Sequence, residues 1–182
     1  APAHPVEQQP GDAVDAEHPP RLRLELGPQG ALVALDVPSR DIVALVGSYE
    51  AVPGNLDRAR HARRQPGSSF KPIVYAYALR AREITAASVL DLQRKGRGVS
   101  EQPPYKIGVR HALAVSNNEA AVQLLQVNGA AKVVEFAHEL GIESKLGADL
   151  SLALGSYEVT PLEMANAFAT FAPDLTASSW KP

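Results

Sequence analysis

The sequence predicts an α+β fold in which the helices are segregated from a small sheet. Two short apolar runs, at residues 31–37 and 42–47, flank a polar four-residue turn and indicate a β-hairpin. Beyond residue 68, apolar residues recur mostly at helical spacing. A hairpin followed by a run of helices is the element order of α+β proteins, in which the helices collect on one face or end of an antiparallel sheet.

The N-terminal part divides into a linker and a strand. Residues 1–20 hold five of the fifteen prolines together with Glu, Gln and Asp, so we expect a flexible linker there. Residues 21–26 alternate strictly between charged residues and leucine, as a half-buried strand does. The folded domain is therefore predicted to cover residues 21–182.

The helical part begins with a buried helix over residues 69–82, because apolar side chains recur on most of its sides. A loop-rich passage follows at residues 84–106, where glycine and proline are frequent. Three further helical patterns lie at residues 109–115, 119–127 and 130–140.

Helix-stop and helix-start signals set the later boundaries. Gly129 and Gly141 are predicted to end the second and third of these helices. The sequence TPLE at residues 160–163 combines a capping box with proline at the first helical position. A final helix is therefore predicted from there to about residue 172.

The composition excludes several classes of function. With 21% charged residues and a formal net charge of −2, the chain has no basic excess that would indicate a nucleic-acid partner. It has no cysteines, which excludes disulfides, thiolate metal sites and a cysteine nucleophile. His4, His18 and His138 show no ligand spacing, and we predict neither a metal nor a cofactor.

No export or membrane segment is predicted within the chain. No apolar run approaches the ~20 residues that a membrane-spanning helix needs, and the N-terminus lacks a signal pattern. The sequence starts without Met and is expected to be an excised segment of something longer. Any membrane association is therefore expected through a segment outside this chain.

A hydroxyl and an amine lie three residues apart in the stretch RQPGSSFKP at residues 64–72. If a helix begins there, Ser68 and Lys71 lie on one face about a turn apart, close enough for the amine to take the hydroxyl proton. The helix start favours a neutral lysine and an anionic oxygen nearby. On this spacing alone, a helix cap beside a solvated lysine is the commoner explanation, and Ser178 and Lys181 repeat the spacing with no helix to support it.

A Ser-x-Asn pattern follows about fifty residues later, between two predicted helices. Ser116 could shuttle a proton and the amide of Asn118 could hold a substrate carbonyl, which are the groups that acyl transfer through Ser68 would need. Taken alone, the pattern is more often a helix cap.

Four ordered segments together resemble the transpeptidase domain of class A, bifunctional penicillin-binding proteins. The stretch at residues 64–72 is similar to the family's nucleophile segment, and ALAVSNN at residues 112–118 is similar to its second motif. LGSYEVTPLEMA at residues 154–165 resembles a further family segment, and residues 31–47 resemble its opening hairpin. The likeness covers about residues 30–172 in the family's order.

The resemblance implies a β-lactamase/DD-peptidase-like fold and a set of catalytic roles. Ser68 would be the acylated nucleophile, attacking the carbonyl between the terminal D-alanines of a peptidoglycan stem peptide. Lys71 would activate it, Ser116 would relay the proton to the leaving D-alanine, and Asn118 would bind the substrate amide. An amino group of a neighbouring stem would then take the acyl group, and β-lactams would acylate Ser68.

The chain departs from the family pattern in its C-terminal part. In the family the third motif, Lys-Thr/Ser-Gly, lies on a strand well downstream of the TPLEMA segment, and the chain does not include it, so the predicted domain is partial and lacks the C-terminal strands of its sheet. Either the chain is only part of a catalytic domain, or the parent protein has lost part of that domain. Residues 106–108 (KIG) and 145–147 (KLG) have the outline of that motif without its hydroxyl, and both are predicted to be ordinary loops. Residues 86–106 are also shorter than the corresponding family segment.

The resemblance also implies a setting and leaves alternatives open. The setting is the periplasmic or extracytoplasmic face of the inner membrane, with an anchor and a glycosyltransferase domain elsewhere in the parent chain. The alternatives are a DD-carboxypeptidase, a β-lactamase-like hydrolase, or a non-catalytic penicillin-binding-like module.

Overall fold

The computed structural model describes residues 30–49, 54–92 and 104–172. The predicted linker at residues 1–20, the predicted strand at residues 21–26 and the Ser178/Lys181 pair lie outside these residues. The described elements, in chain order, are β1 (Leu32–Leu35), β2 (Ile42–Val46), a 3₁₀ helix (Gly67–Phe70), α1 (Lys71–Arg80), β3 (Val89–Leu92), β4 (Tyr105–Gly108), α2 (Val109–Ala114), α3 (Asn118–Asn128), α4 (Ala130–Glu139), a second 3₁₀ helix (Leu150–Leu154) and α5 (Pro161–Ala169).

The predicted hairpin is confirmed. β1 and β2 pair antiparallel, with Leu32 opposite Val46, and the register shifts at the turn end of β1. The turn is closed by Asp36, whose carboxylate accepts from the Ser39 amide at 2.9 Å. The Arg40 side chain links the hairpin to α5, because its guanidinium donates to the backbone oxygen of Asn166 at 2.9 Å. The small sheet is therefore tied to the helical part through α5.

The prediction that residues 84–106 are loop-rich is wrong in part. β3 lies inside that passage and pairs antiparallel with β4, with Leu90 opposite Ile107 and Leu92 opposite Tyr105. The prediction of a loop at residues 106–108 is therefore wrong as well, because Lys106, Ile107 and Gly108 belong to β4. A four-residue strand offers only two inward positions, which are too few to show a period. The burial of β3 comes with its packing against α3, which lies further along the chain. The loop predicted at residues 145–147 is confirmed.

The predicted helices are all present, with ends that differ by a few residues. α1 is preceded by the 3₁₀ helix, so the α-helical turns begin at Lys71, two residues later than predicted. α5 opens on the predicted capping box, in which Thr160 and Glu163 bond each other's backbone, and ends at Ala169, about three residues early. The helices enclose a largely aliphatic core that includes Ile73, Val74 and Leu125.

Candidate active site

The turn that carries Ser68 is a 3₁₀ helix running directly into α1. Gly67 opens it with a φ of +56°, a left-handed conformation that glycine adopts without cost. The Lys71 amide donates to the Ser68 carbonyl, which fixes the two residues one 3₁₀ turn apart. Side chains three residues apart eclipse each other on a 3₁₀ helix. Ser68 and Lys71 therefore stand on the same side of the chain, as their spacing predicted.

A second segment supports this turn from behind. Arg64 and Val159 exchange two backbone hydrogen bonds of 3.0 Å, and the Gly67 amide donates to the Gly155 carbonyl at 3.2 Å. Gly155 has a φ of +66°, and a Cβ atom there would lie 2.1 Å from the Gly67 carbonyl oxygen. The segment at residues 154–165 therefore packs directly against Gly67, the residue before Ser68, through Gly155.

Ser116 lies where a helix normally ends in glycine. The Ser116 amide donates to the Leu113 carbonyl at 3.0 Å and the Asn117 amide to the Ala112 carbonyl at 2.8 Å, which is the Schellman pattern at the end of α2. Ser116 occupies its left-handed position with a φ of +55°. That conformation costs a non-glycine residue about 1–2 kcal/mol. The strain is maintained at a residue whose hydroxyl and carbonyl both contact Lys71.

The Lys71 amine contacts two of the other three predicted site residues, Ser116 and Asn118. Its Nζ lies 2.5 Å from the Ser116 carbonyl oxygen, 2.9 Å from Ser116 Oγ and 2.5 Å from Asn118 Oδ1. Lys71 is only 1% exposed, whereas Ser68, Ser116 and Asn118 are exposed. Burial lowers the pKa of Lys71, and the Glu119 carboxylate raises it in part. The Lys71 amine is therefore easier to deprotonate than that of a solvated lysine, and it lies beside groups that solvent and ligands can reach.

The three contacts of Lys71 differ in what they can accept or donate. The Ser116 carbonyl and Asn118 Oδ1 can only accept, so they take two N–H groups of the amine. The Ser116 hydroxyl can accept or donate, and a neutral amine keeps one lone pair. With Oδ1 turned toward Lys71, the NH₂ group of Asn118 remains a donor for a ligand. The arrangement can pass a proton from a nucleophile to Lys71 and on to Ser116.

Among the described residues no hydrogen bond joins the Ser68 hydroxyl to Lys71 Nζ. The structure thus brings Lys71, Ser116 and Asn118 into contact and places Ser68 one turn away. Proton transfer from Ser68 to Lys71 stays a prediction. A groove of about 500 Å³ beside Asn118, between β3 and α3, leaves room next to these groups.

The sequence did not predict the contact between Asn117 and Tyr105. Asn117 caps α3, since its Oδ1 accepts from the Ala120 amide at 2.8 Å, and this cap was foreseen for the turn as a whole. Its Nδ2 also donates to the Tyr105 hydroxyl at 2.8 Å. No sequence signal points to Tyr105, because the strand that carries it lies in a passage that the sequence predicts to be loop-rich.

Glu163 was predicted only as half of a capping box. Its carboxylate also accepts from the Ser144 amide at 2.7 Å and the Ser144 hydroxyl at 2.8 Å. Burial raises the pKa of Glu163, but the hydrogen bonds from Thr160 and Ser144 outweigh it, so the pKa is lower than usual. Glu163 therefore holds the loop after α4 to the start of α5 as an ionised acceptor.

The described residues contain neither a candidate metal cluster nor a candidate membrane-spanning helix. Within residues 30–49, 54–92 and 104–172, no group of three His, Asp or Glu side chains is arranged to hold a metal ion. No helix in that same part of the chain combines the length and the apolar character needed to cross a membrane.

Comparison with known proteins identifies the family. The sequence matches the family model of the penicillin binding protein transpeptidase domain over residues 30–176. The chain therefore belongs to the penicillin-binding protein transpeptidase family, as its four ordered segments predicted. Membership of this family supports the prediction that the chain is part of a serine transferase or hydrolase.

Individual relatives are penicillin-binding proteins of the 1A type. The chain is 38% identical over 158 residues to penicillin-binding protein 1A of Neisseria gonorrhoeae, and 36% identical over 156 residues to that of Aquifex aeolicus; each match covers 79% of the chain. It covers 20% and 21% of those relatives, so the chain spans about a fifth of their length.

Solved structures confirm the predicted fold. Penicillin-binding protein 1A from Haemophilus influenzae superposes with a TM-score of 0.66 at 32% identity, covering 78% of the chain and 23% of that structure. PonA1 from Mycobacterium tuberculosis gives 0.65 at 25% identity, covering 77% and 41%. The mixed helix-and-sheet architecture is thus that of penicillin-binding transpeptidase domains.

Proposed function

We propose that this chain carries the nucleophile of a serine D-Ala-D-Ala transpeptidase that cross-links peptidoglycan and binds β-lactams covalently. The observation that carries the proposal is the desolvated Lys71 amine, held by Ser116 and Asn118 and one turn from an exposed serine. A buried lysine with a lowered pKa beside a hydroxyl is the arrangement that activates a serine without histidine.

In the proposed reaction, Ser68 Oγ attacks the carbonyl carbon between the two terminal D-alanines, and its proton passes to Lys71 Nζ. The Ser68 backbone N–H stabilises the oxyanion. The C–N bond breaks as Ser116 gives its hydroxyl proton to the departing D-alanine amine and takes a proton from Lys71, which becomes neutral again. An amino group of a second stem then attacks the ester carbonyl at Ser68, Lys71 takes its proton, and the C–Oγ bond breaks as Lys71 returns that proton to Ser68 Oγ, which forms the cross-link and restores the hydroxyl.

The proposal includes parts that lie outside residues 30–172. The strand with Lys-Thr/Ser-Gly would complete the site and hold the substrate carboxylate. A preceding glycosyltransferase domain and a membrane anchor would place the enzyme in the cell envelope, facing the periplasm. The length of the penicillin-binding protein 1A relatives, of which the chain spans about a fifth, supports this wider setting.

The test is covalent labelling of the full-length gene product by a fluorescent penicillin, followed by intact-mass analysis. We expect one adduct on the wild-type protein, no adduct on Ser68→Ala, and an unchanged adduct on Ser69→Ala, the exposed neighbour. A folded wild-type protein that forms no adduct would leave only the non-catalytic module. An adduct that hydrolyses within minutes, in place of a lasting one, would favour the β-lactamase-like hydrolase.

The pH dependence of acylation follows from the Lys71 pKa. Only the neutral amine can take the Ser68 proton, so the acylation rate rises as pH increases through that pKa. Because Glu119 raises the pKa of Lys71, Glu119→Gln is expected to move the rising limb to lower pH. Stopped-flow acylation between pH 5 and pH 10 measures the shift. Glu135→Gln, an exposed change on α4, serves as the control, and a limb that stays in place in Glu119→Gln would contradict the assignment.

A further inference from the structure

We infer that Tyr105 is a positioning residue for acylation, acting through Asn117 on the turn that carries Ser116 and Asn118. The inference rests on the proposed function. It assigns a task to a strand, β4, that contributes no group to the reaction itself.

Asn117 stands between the two residues that bind Lys71 and uses its own side chain elsewhere. Its Oδ1 is taken by the Ala120 amide and its Nδ2 by the Tyr105 hydroxyl, each at 2.8 Å. Both polar ends of the amide are therefore engaged, one by α3 and one by β4. The backbone at Asn117 is extended, with a φ of −62° and a ψ of 126°, directly after the left-handed Ser116.

We call the two hydrogen bonds of the Asn117 side chain, to the Ala120 amide and the Tyr105 hydroxyl, the Asn117 tether. It matters because the turn at Ser116 is strained. The Ser116 carbonyl meets Lys71 only while Ser116 stays left-handed, and the neighbouring amide plane must hold its direction. Any rotation at Asn117 would move the Ser116 carbonyl and the Asn118 side chain together. The Asn117 side chain limits that rotation because it is hydrogen-bonded to α3 and to β4.

β4 is a firm anchor for this tether. It pairs with β3 along its length, with Leu92 opposite Tyr105, and Leu92 is 1% exposed. β4 runs directly into α2, whose first amide, that of Val109, donates to the Ser88 carbonyl at 2.9 Å. The Tyr105–Asn117 bond thus fixes the far end of α2, while β4 and Ser88 fix the near end.

Two conservative changes isolate the tether. Tyr105→Phe removes the hydroxyl and keeps the ring, and Asn117→Ser keeps an oxygen that can cap α3 but loses the amide donor. Each is expected to lower the maximal acylation rate by roughly fivefold, the size of one hydrogen bond expressed as a rate. If Tyr105 acts through Asn117, the double variant is no slower than the slower single variant.

The experiment measures acylation of the full-length gene product by a fluorescent penicillin at saturating concentration, with thermal unfolding recorded for each variant. Tyr77→Phe, a half-buried tyrosine further along α1, is the matched control and should acylate at the wild-type rate. Wild-type rates in Tyr105→Phe, or effects that multiply in the double variant, would overturn the inference while leaving the proposed function intact. A wild-type protein that forms no adduct would instead overturn the proposed function and this inference with it.

Discussion

Replacing Lys71 by methionine is expected to lower the rate of penicillin acylation at neutral pH by roughly a thousandfold or more, because a positioned general base contributes about 10²–10⁴ in rate. Methionine has a similar length and suits a position that is 1% exposed, so the fold should persist. The measurement is the time course of fluorescent adduct formation, with circular dichroism and cooperative unfolding to verify the fold.

The control for Lys71→Met is Lys132→Met, which removes an exposed amine from α4 and should leave acylation unchanged. Acylation of folded Lys71→Met at a rate close to wild type would refute Lys71 as the base. It would not refute Ser68 as the nucleophile, because another group could activate that serine. The Ser68→Ala variant tests the nucleophile independently.

Replacing Gly155 by alanine is expected to destabilise the protein by about 3 kcal/mol, from the cost of a left-handed alanine and the overpacking of its Cβ against Gly67. The new methyl group would meet the Gly67 carbonyl oxygen at 2.1 Å and the Gly67 amide nitrogen at 2.7 Å. Both atoms belong to the backbone, so neither can move aside by a rotamer change. Urea-induced unfolding measures the loss, and acylation should slow as well because Ser68 follows Gly67.

Gly54→Ala separates the two causes of this loss. Gly54 has a φ of +85° and open space where a Cβ would lie, so its replacement carries the backbone cost alone, about 1 kcal/mol. Equal destabilisation by Gly54→Ala and Gly155→Ala would mean that the contact with Gly67 contributes nothing.

The parts of the fold that the sequence predicted well are those with local causes. The hairpin follows from two apolar runs around a polar turn, and α5 follows from a capping box whose two hydrogen bonds both form. The strands β3 and β4 could not be predicted in this way. Each has only four residues, and β3, which carries the buried Leu90 and Leu92, packs against α3, an element that lies beyond β4 and α2 in the sequence.

The candidate site shows the same division. The spacing of Ser68 and Lys71 is local, and the helix start that makes it meaningful was visible in the sequence. The contacts of Lys71 with Ser116 and Asn118 span 45 and 47 residues, so no periodicity could reveal them; they were expected only through the family resemblance. The burial of Lys71 was also not foreseeable, because a lysine in the first turn of a helix is usually solvated.

The left-handed backbone of Ser116 lowers the thermal stability of the protein. A glycine there would suit the Schellman turn and relieve its backbone, so selection or engineering for thermal endurance alone would favour it. The same exchange would delete the hydroxyl that Lys71 contacts. In the proposed reaction, Ser116 therefore lowers the stability of its own turn while it supplies the hydroxyl that relays the proton beside the buried amine.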